Sequence, residues 1–315
     1  MSSRTSSPTL LLVGGTGGLA GRSVREVLRG RWRIRSVHRH PVEAERADGI
    51  EWIPADAAAV VEWGPMLAGV DAVVNLAWYR QGRERRFRDL AAGLVRLIRA
   101  SRDAGIARWV QLSVPTAPPA LESELSYLRW KRYVDRELAN SGLSYSILRA
   151  SMLFGPRDKL LTVMMRTMAR YHRFPMFGDG EYHLSPIAAR DVARAVLREL
   201  TNTRSGTFDA GGPSRWRYHD LTDRMFQELG LSPRYVRISP TGSVRLARLL
   251  EGLGSSLLYA YEVEWLLSDL LGPPAYSGLD PPLEEVGPFL GEEAARLGRR
   301  GASSPDRPAS NSPEN

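Results

Sequence analysis

The stretch from Leu10 to Gly21 limits what this chain can fold into more than any other part of its sequence. Its first four residues, Leu10–Val13, are apolar and lead into a glycine-rich turn, which is typical of a buried parallel strand. An apolar helical pattern then begins at Val24. Strand, glycine turn and helix in this order predict an α/β domain with a parallel sheet.

Three glycines of this turn, Gly15, Gly18 and Gly21, have the spacing of a dinucleotide-binding fingerprint. In that fingerprint the first glycine forms a tight turn, the second lets the backbone approach a pyrophosphate, and the third lets the helix pack on the strand. The N–H groups at the start of the helix then face the phosphates. The same spacing occurs by chance in loops, so the prediction depends on the strand-to-helix context.

Strands and helices continue to alternate up to about residue 155, which predicts a doubly wound parallel sheet. The predicted strands are Leu10–Val13, Arg33–Val37, Ile50–Ile53, Ala72–Ala77, Trp109–Ser113, Tyr145–Leu148 and Thr207–Ala210. The predicted helices are Ala57–Leu67, Arg83–Ala104, Ser126–Asn140, Leu160–Tyr171 and Asp191–Leu200. Phe174–Gly180 is predicted to be a turn-laden loop, and residues 211–296 to hold two or three helices without a second sheet.

These patterns predict a dinucleotide-binding domain over residues 9–155, completed by about 186–212. A smaller, mainly helical substrate-binding part is expected at 156–185 and 213–298. Residues 1–8 and 299–315 are rich in Ser, Pro, Asn and charge, and we expect disordered tails there.

Composition excludes several classes of site and partner. The chain of 315 residues has no cysteine, so disulfides, thiolate metal sites and a cysteine nucleophile are excluded. Its five histidines show no metal-ligand spacing, and no apolar run or signal peptide is evident, so a soluble cytoplasmic protein is expected. The net charge of +8 comes from scattered arginines without a nucleic-acid motif, which favours a small-molecule substrate over a nucleic acid.

Ser113, Tyr127 and Lys131 are the predicted catalytic residues. Ser113 ends the fifth predicted strand, where open α/β sheets place their ligands. Tyr127 and Lys131 are four residues apart on the next helix and therefore share a face. Lys131 is one of only two lysines among 43 basic residues, the other being Lys159. The alternative, an amphipathic tyrosine beside a solvated lysine, does not explain why arginine was not used here.

These residue types suit proton transfer. A nearby ammonium favours the phenolate and is expected to lower the pKa of Tyr127, making it a general acid/base. The compact ammonium of Lys131 can also bind a ribose hydroxyl. Ser113 would hydrogen-bond the substrate oxygen.

With these motifs the sequence resembles the short-chain dehydrogenase/reductase superfamily, in its extended and atypical branch. That branch includes proteins similar to the complex I accessory subunit and epimerase/dehydratase-like proteins. The resemblance rests on the glycine motif, Asp56, the NLA segment at 75–77, the serine, the YxxxK pair and the segment 127–156. It covers about residues 10–225 and implies a Rossmann-like fold, a nicotinamide cofactor and a substrate cleft closed by the C-terminal part.

The resemblance implies that the glycines cradle phosphates, Asp56 meets the adenine and Ala77 lines the cofactor cleft. The predicted cofactor-binding residues are Gly15, Gly17, Gly18, Leu19, Gly21, Arg39, Asp56, Ala57, Leu76, Ala77 and Lys131. Two positions depart from the family pattern: Leu90 stands where many members have an asparagine of a proton relay, and Arg149-Ala150 replaces the usual Arg-Pro.

Arg39 at the end of the second predicted strand indicates the cofactor preference. NAD-preferring sites usually place a carboxylate there, whereas the first carboxylate after this strand is Glu43, beyond Pro41. Arg39 can meet a 2′-phosphate through a charge-assisted hydrogen bond, which favours NADP(H), with NAD as the alternative. The other interpretation is that Arg39 is one more surface arginine.

Trp78, Arg80 and Lys159 are weaker candidates for contact with a substrate. Trp78 could wall the nicotinamide pocket or simply pack, and Arg80 begins an arginine-rich block that could receive an anion or be a solvated helix start. Lys159 follows the sixth predicted strand at the same edge. Two functions remain open: an NAD(P)H-dependent oxidoreductase acting on a carbonyl or alcohol, and a dinucleotide-binding sensor or assembly protein without catalysis.

Overall fold

The computed structural model describes residues 7–16, 18–39, 49–80, 83–253 and 259–302. In chain order the elements are β1 (Thr9–Val13), α1 (Gly18–Leu28), β2 (Arg33–His38), β3 (Glu51–Pro54), α2 (Gly64–Leu67), β4 (Ala72–Asn75), α3 (Glu84–Asp103), β5 (Arg108–Ser113), α4 (Pro119–Glu124), α5 (Ser126–Ala139), β6 (Tyr145–Ala150), β7 (Leu153–Phe154), α6 (Leu160–Tyr171), β8 (Phe174–Phe177), β9 (His183–Leu184), β10 (Ile187–Ala188), α7 (Ala189–Thr201), β11 (Gly206–Ala210), β12 (Trp216–Arg217), α8 (Tyr218–Glu228), β13 (Tyr235–Ile238), α9 (Pro240–Gly252), α10 (Ala260–Leu267) and α11 (Val286–Ala302).

Within the described residues, seven strands form one parallel sheet in the order β11-β6-β5-β4-β1-β2-β3. The strand order reverses between β1 and β4, which pair with Leu10 opposite Ala72 and Val13 opposite Asn75. Ligands of open α/β sheets bind at such a reversal, beyond the carboxyl ends of the strands. The predicted doubly wound, Rossmann-like α/β fold is therefore confirmed.

Alternation along β1 divides the core between the two faces of the sheet. Leu10 and Leu12 pack on one face with residues of α1 and α7, while Leu11 and Val13 pack on the other with residues of α3 and α5. Because all four are buried, β1 reads in the sequence as an unbroken apolar run. A separate core joins α6, β8, α8 and α11 in the C-terminal part.

Three local predictions were wrong. The helix expected over Ala57–Leu67 exists only as α2, because Pro65 can start a helix but disfavours a helical residue before it. The segment expected as a loop forms β8, which pairs in parallel with β13; a partner about sixty residues away leaves no local signal. Two or three helices were predicted for residues 211–296, whereas the described residues there form four, α8–α11. The last of them continues to Ala302, past the predicted start of the tail at 299.

No helix in the described part of the chain combines the length and apolar character needed to cross a bilayer. Residues 1–6 and 303–315, which make up most of the tails predicted at 1–8 and 299–315, lie outside the described residues.

Gly93 joins α3 to the loop after β3 by a close approach of backbones. A Cβ placed at Gly93 would lie 1.9 Å from the carbonyl oxygen of Ala57, so one of the two backbones would have to move. We expect Gly93→Ala to lower the free energy of unfolding by about 1–3 kcal/mol, the usual cost of overpacking. Denaturant unfolding measures this. Gly287→Ala in α11, where a Cβ meets nothing within 4 Å, is the control and should be neutral or stabilising.

Candidate functional site

A groove of about 440 Å³ opens at the carboxyl ends of β1, β2 and β4, where the strand order reverses. The predicted cofactor residues that line it are Gly18, Leu19, Gly21, Arg39, Asp56, Ala57, Leu76 and Ala77. Trp78 and Arg80, predicted to meet a substrate, also line it. Gly17 and Glu43 lie outside the described residues.

The glycine turn shapes the floor of the groove. Gly14 has a φ of +87°, and a Cβ there would lie 2.7 Å from the backbone nitrogen of Ala77. The tight turn expected at Gly15 is therefore made by Gly14, while a Cβ at Gly15 would meet the side chain of Leu12. Gly21 abuts the carbonyl oxygen of Gly14, so it brings α1 onto the end of β1 as predicted. The adjacent Gly14-Gly15 pair was the sequence signal that could have identified the turn.

Open space lies in front of the N-terminus of α1. Gly18 has a φ of +54°, and a Cβ there would meet nothing within 4 Å. Backbone N–H groups exposed at a helix N-terminus suit an anion such as pyrophosphate. The residues present therefore fit a dinucleotide. No cluster of potential metal ligands occurs among the described residues.

Asp56 and Tyr79 are joined at one side of the groove. The Asp56 carboxylate accepts hydrogen bonds from the Ala58 amide at 3.0 Å and from the Tyr79 hydroxyl at 3.2 Å. Arg39 is exposed, and its guanidinium lies 4.8 Å from the centre of the Tyr79 ring. Tyr79 also lines the groove, and nothing in its sequence position indicates that it binds Asp56.

Ser113 is part of a buried polar network. Its hydroxyl donates to Asp135 Oδ2 at 2.5 Å, and Arg132 forms an ion pair with the same carboxylate at 3.0 Å. Gln111 donates to the other oxygen of Asp135 at 3.3 Å. The Ser113 hydroxyl was expected to donate to a substrate oxygen. In the structure it donates to a carboxylate instead, because α5 places Asp135 over the end of β5.

Tyr127 lies within a cluster of aromatic side chains rather than on the groove surface. Its ring stacks on Tyr261 of α10 with centroids 4.7 Å apart, and the rings of Phe87 and Trp78 meet it edge-on at 5.7 and 6.2 Å. Burial raises the pKa of Tyr127, and the Glu262 carboxylate adds to the shift. The predicted lowering of this pKa is wrong, since no effect of Lys131 outweighs desolvation.

Lys131 is buried, and its ammonium lies 4.8 Å from the centre of the Trp78 ring. Burial lowers its pKa from 10.5 to about 8, opposed by the Asp135 carboxylate and assisted by the Arg132 cation. Trp78 therefore contacts both Lys131 and Tyr127, and it also lines the groove. Neither Lys131 nor Tyr127 is among the described residues that line the groove.

Arg80 connects the groove to α10 instead of presenting a free cation. Its guanidinium makes a two-pronged ion pair with Glu262, at 2.6 and 2.9 Å, and its carbonyl oxygen accepts from the Tyr261 hydroxyl at 2.5 Å. These contacts hold α10 over Tyr127. They join residues about 180 positions apart, so no sequence signal could have identified them.

Lys159 is exposed at the N-cap of α6 and is not among the described residues lining the groove. Leu90, the residue expected to replace a relay asparagine, is buried in α3 and lines the groove. Leu153 of β7 also lines it, a position that the sequence did not single out.

Comparisons with known proteins agree with this geometry. Residues 14–203 match the model of a family described as NAD(P)H-binding. Over 142 residues the chain is 28% identical to the mitochondrial NADH dehydrogenase (ubiquinone) 1 alpha subcomplex subunit 9 of Arabidopsis thaliana, covering 44% of this chain and 35% of that protein. Over 257 residues it is 26% identical to the chloroplastic divinyl chlorophyllide a 8-vinyl-reductase of Oryza sativa subsp. indica, covering 74% and 62%.

The chain thus spans less than two thirds of the length of either curated relative. Among solved structures, the NADPH-dependent quinone oxidoreductase QOR2 of Escherichia coli, complexed with NADPH, has a TM-score of 0.70 at 19% identity. That match covers 92% of this chain and 99% of QOR2, and at this identity it shows a shared fold.

The lowered pKa of Lys131 predicts a pH-dependent stability. Between about pH 8 and pH 10.5 the unfolded chain keeps a proton that the folded chain has lost, so the free energy of unfolding rises with pH across this window. Lys131→Met lacks this group and should be more stable than the wild type near neutral pH. We expect this difference to shrink by about 2 kcal/mol towards pH 10.

Denaturant unfolding of both proteins at several pH values measures the difference. The two proteins share all other titrating groups, so the contributions of those groups to the free energy of unfolding cancel in the comparison. A difference that stays constant across the window contradicts the shift.

Proposed function

The chain belongs to the NAD(P)H-binding family, and we propose that it is an NADP(H)-dependent oxidoreductase of the short-chain dehydrogenase/reductase type, acting on a carbonyl or alcohol. The observation that carries this proposal is the position of Trp78. It lines the dinucleotide groove, and its ring contacts both Tyr127 and Lys131. The end of the groove is thus next to the pair that the sequence predicts to be catalytic.

The cofactor would be held by the glycine turn, Gly18 and the N-terminus of α1 at its phosphates, and by Asp56 at its adenine. When bound, its nicotinamide supplies or accepts a hydride at the substrate carbon. Tyr127 supplies the accompanying proton to the substrate oxygen. The Tyr127 hydroxyl is protonated at neutral pH, because burial raises its pKa above the ordinary value, and it thus carries the proton that carbonyl reduction requires.

Relatives and neighbours are consistent with reduction. One curated relative is named as a vinyl-reductase, and one solved neighbour as an NADPH-dependent quinone oxidoreductase. The Tyr261 ring of α10 now stacks on the Tyr127 ring, in the space that we propose the substrate enters. We therefore propose that α10 moves when a substrate binds.

A second candidate is a dinucleotide-binding protein without catalysis. The specific observation in its favour is that Ser113 is committed to Asp135 and Tyr127 is covered by Tyr261. One curated relative is named as a subunit of NADH dehydrogenase, which fits an assembly role. Both candidates predict cofactor binding, so turnover has to separate them.

Tyr127→Phe tests the enzymatic proposal. Removing the hydroxyl should lower NADPH oxidation at least about 100-fold, the usual contribution of a general acid, while the dissociation constant for NADPH stays unchanged. The assay follows NADPH absorbance with a panel of aldehydes, ketones and quinones. Tyr133→Phe on the same helix is the control and should keep full activity. If the wild type oxidises NADPH with none of these compounds, the non-catalytic candidate is favoured.

Arg39→Ala tests the cofactor preference. Because Arg39 can form a charge-assisted hydrogen bond to a 2′-phosphate, the wild type should bind NADPH more tightly than NADH. The variant should lose about tenfold in NADPH affinity and little in NADH affinity. Fluorescence titration of both cofactors measures this, with Arg33→Ala, an exposed position in β2, as the control. Equal wild-type affinities would contradict the assignment.

A further inference from the structure

The solvent side of α9 carries arginines and leucines along one stripe. Residues spaced i, i+3, i+4 and i+8 lie on the same side of a helix, and four exposed residues have this spacing here. They are Arg245, Arg248, Leu249 and the C-cap residue Leu253. Leu249 and Leu253 have 61% and 75% of their surface exposed. We refer to these four residues as the α9 stripe.

The opposite side of α9 packs within the protein. Ala247 is buried in a cluster with Ala260 and Val263 of α10, and Val244 and Leu267 pack against the same cluster. The contact between α9 and α10 therefore does not use the leucines of the α9 stripe, which leave most of their surface in water.

The charge around the α9 stripe is positive. Between residues 232 and 253 the only carboxylate is Glu251, which is half-buried and accepts a hydrogen bond from a backbone amide of α10 at 3.4 Å. Arg248 pairs with a carboxylate of α10 at 3.1 Å, whereas Arg245 forms no ion pair with any described residue. The other exposed charged residues of this segment are Arg234 and Arg237. The segment thus presents cations and exposed leucines together.

This combination suits a surface that is anionic on the outside and apolar just below. A single exposed leucine is ordinary on a protein surface. Two leucines one turn apart, beside arginines, match a helix at a membrane interface, where leucines enter the acyl boundary and cations stay among the headgroups. A protein partner would need an apolar pocket next to its carboxylates, whereas a bilayer with anionic lipids offers both layers everywhere on its surface. The observations therefore favour a bilayer.

We propose that the α9 stripe docks the protein on the surface of a bilayer that contains anionic lipids. Docking is peripheral and reversible, because only two leucines enter the acyl boundary. On the inner side of α9, α10 carries Tyr261 onto Tyr127. Docking therefore brings the helix that covers the candidate site next to the bilayer, which suits a substrate dissolved in the membrane. This consequence rests on the proposed function, whereas the docking itself does not.

Flotation of the full chain with lipid vesicles tests the proposal without any turnover. One set of vesicles is phosphatidylcholine alone, and the other is phosphatidylcholine mixed with phosphatidylglycerol. The wild type should float with the mixed vesicles and not with phosphatidylcholine alone. Binding should fall as the salt concentration is raised, because salt screens the attraction between arginines and anionic headgroups.

The double variant Leu249→Ser, Leu253→Ser tests the apolar part of the α9 stripe. It should lower the partition coefficient for the mixed vesicles at least about tenfold, because the apolar surface that enters the bilayer is lost. Val61→Ser is the matched control. Val61 lies between β3 and α2 with 77% of its surface exposed, and its loss should leave binding unchanged.

Arg245→Ala tests the charged part. It should lower the partition coefficient about fivefold, the contribution of one cation near an anionic membrane surface, and Arg245→Lys should retain the binding. Arg29→Ala is the control, because Arg29 is exposed just after α1 and forms no ion pair with any described residue. Thermal melting of each variant checks that it is folded.

The outcomes distinguish this inference from the proposed function. If the wild type does not float with the mixed vesicles, or if the leucine variant floats as well as the wild type, the inference is overturned. It is also overturned if vesicles are not bound and the leucine variant instead abolishes self-association measured by light scattering, which would make the α9 stripe an interface between copies. If vesicles are bound through the α9 stripe but NADPH is never oxidised, the inference stands and the oxidoreductase proposal fails.

Discussion

The structure depends on one close approach of backbones at the end of β1. Gly14 touches the backbone of Ala77, and Gly21 brings α1 against the carbonyl oxygen of Gly14. No residue with a Cβ could occupy these positions without moving β1, β4 or α1 apart. Because β1 lies between β2 and β4 at the reversal of strand order, such a shift would also open the groove. The same contact therefore determines how the sheet and α1 lie relative to each other and to the groove.

Electrostatics divides the site into two regions of different character. At the groove rim, Arg39 and Arg86 are exposed and lie over an aromatic ring, so their charges keep most of their hydration. Around Asp135 the charges are buried and satisfied within the protein by Arg132, Ser113 and Gln111. Anion binding suits the first region. The second holds its groups in place and lowers the pKa of Lys131 to about 8 by burial.

Local patterns predicted the parts that local physics determines. The strand–turn–helix at residues 10–28 and the helix Leu160–Tyr171 follow from apolar periodicity and glycine, and both were predicted closely. The pairing of β8 with β13 and the covering of Tyr127 by α10 were not, because each contact joins segments far apart in sequence. Periodicity identifies which face of an element is buried but carries no information on which distant element covers it. The predicted direction of the Tyr127 pKa shift was wrong for the same reason, because the sequence does not show that distant α10 buries this side chain.

The packing of Tyr261 on Tyr127 affects both the access of a ligand to Tyr127 and the pKa of the Tyr127 hydroxyl. Tyr261 stacks on the partly exposed Tyr127 ring, and Glu262, held by Arg80, places a negative charge nearby; burial and this charge both raise the Tyr127 pKa. If α10 moves as proposed, it carries both Tyr261 and Glu262 away from Tyr127. Both changes lower the pKa towards its ordinary value and make the hydroxyl a better proton donor. For the proposed reaction, a movement of α10 would therefore both uncover the Tyr127 ring and make its hydroxyl a stronger acid.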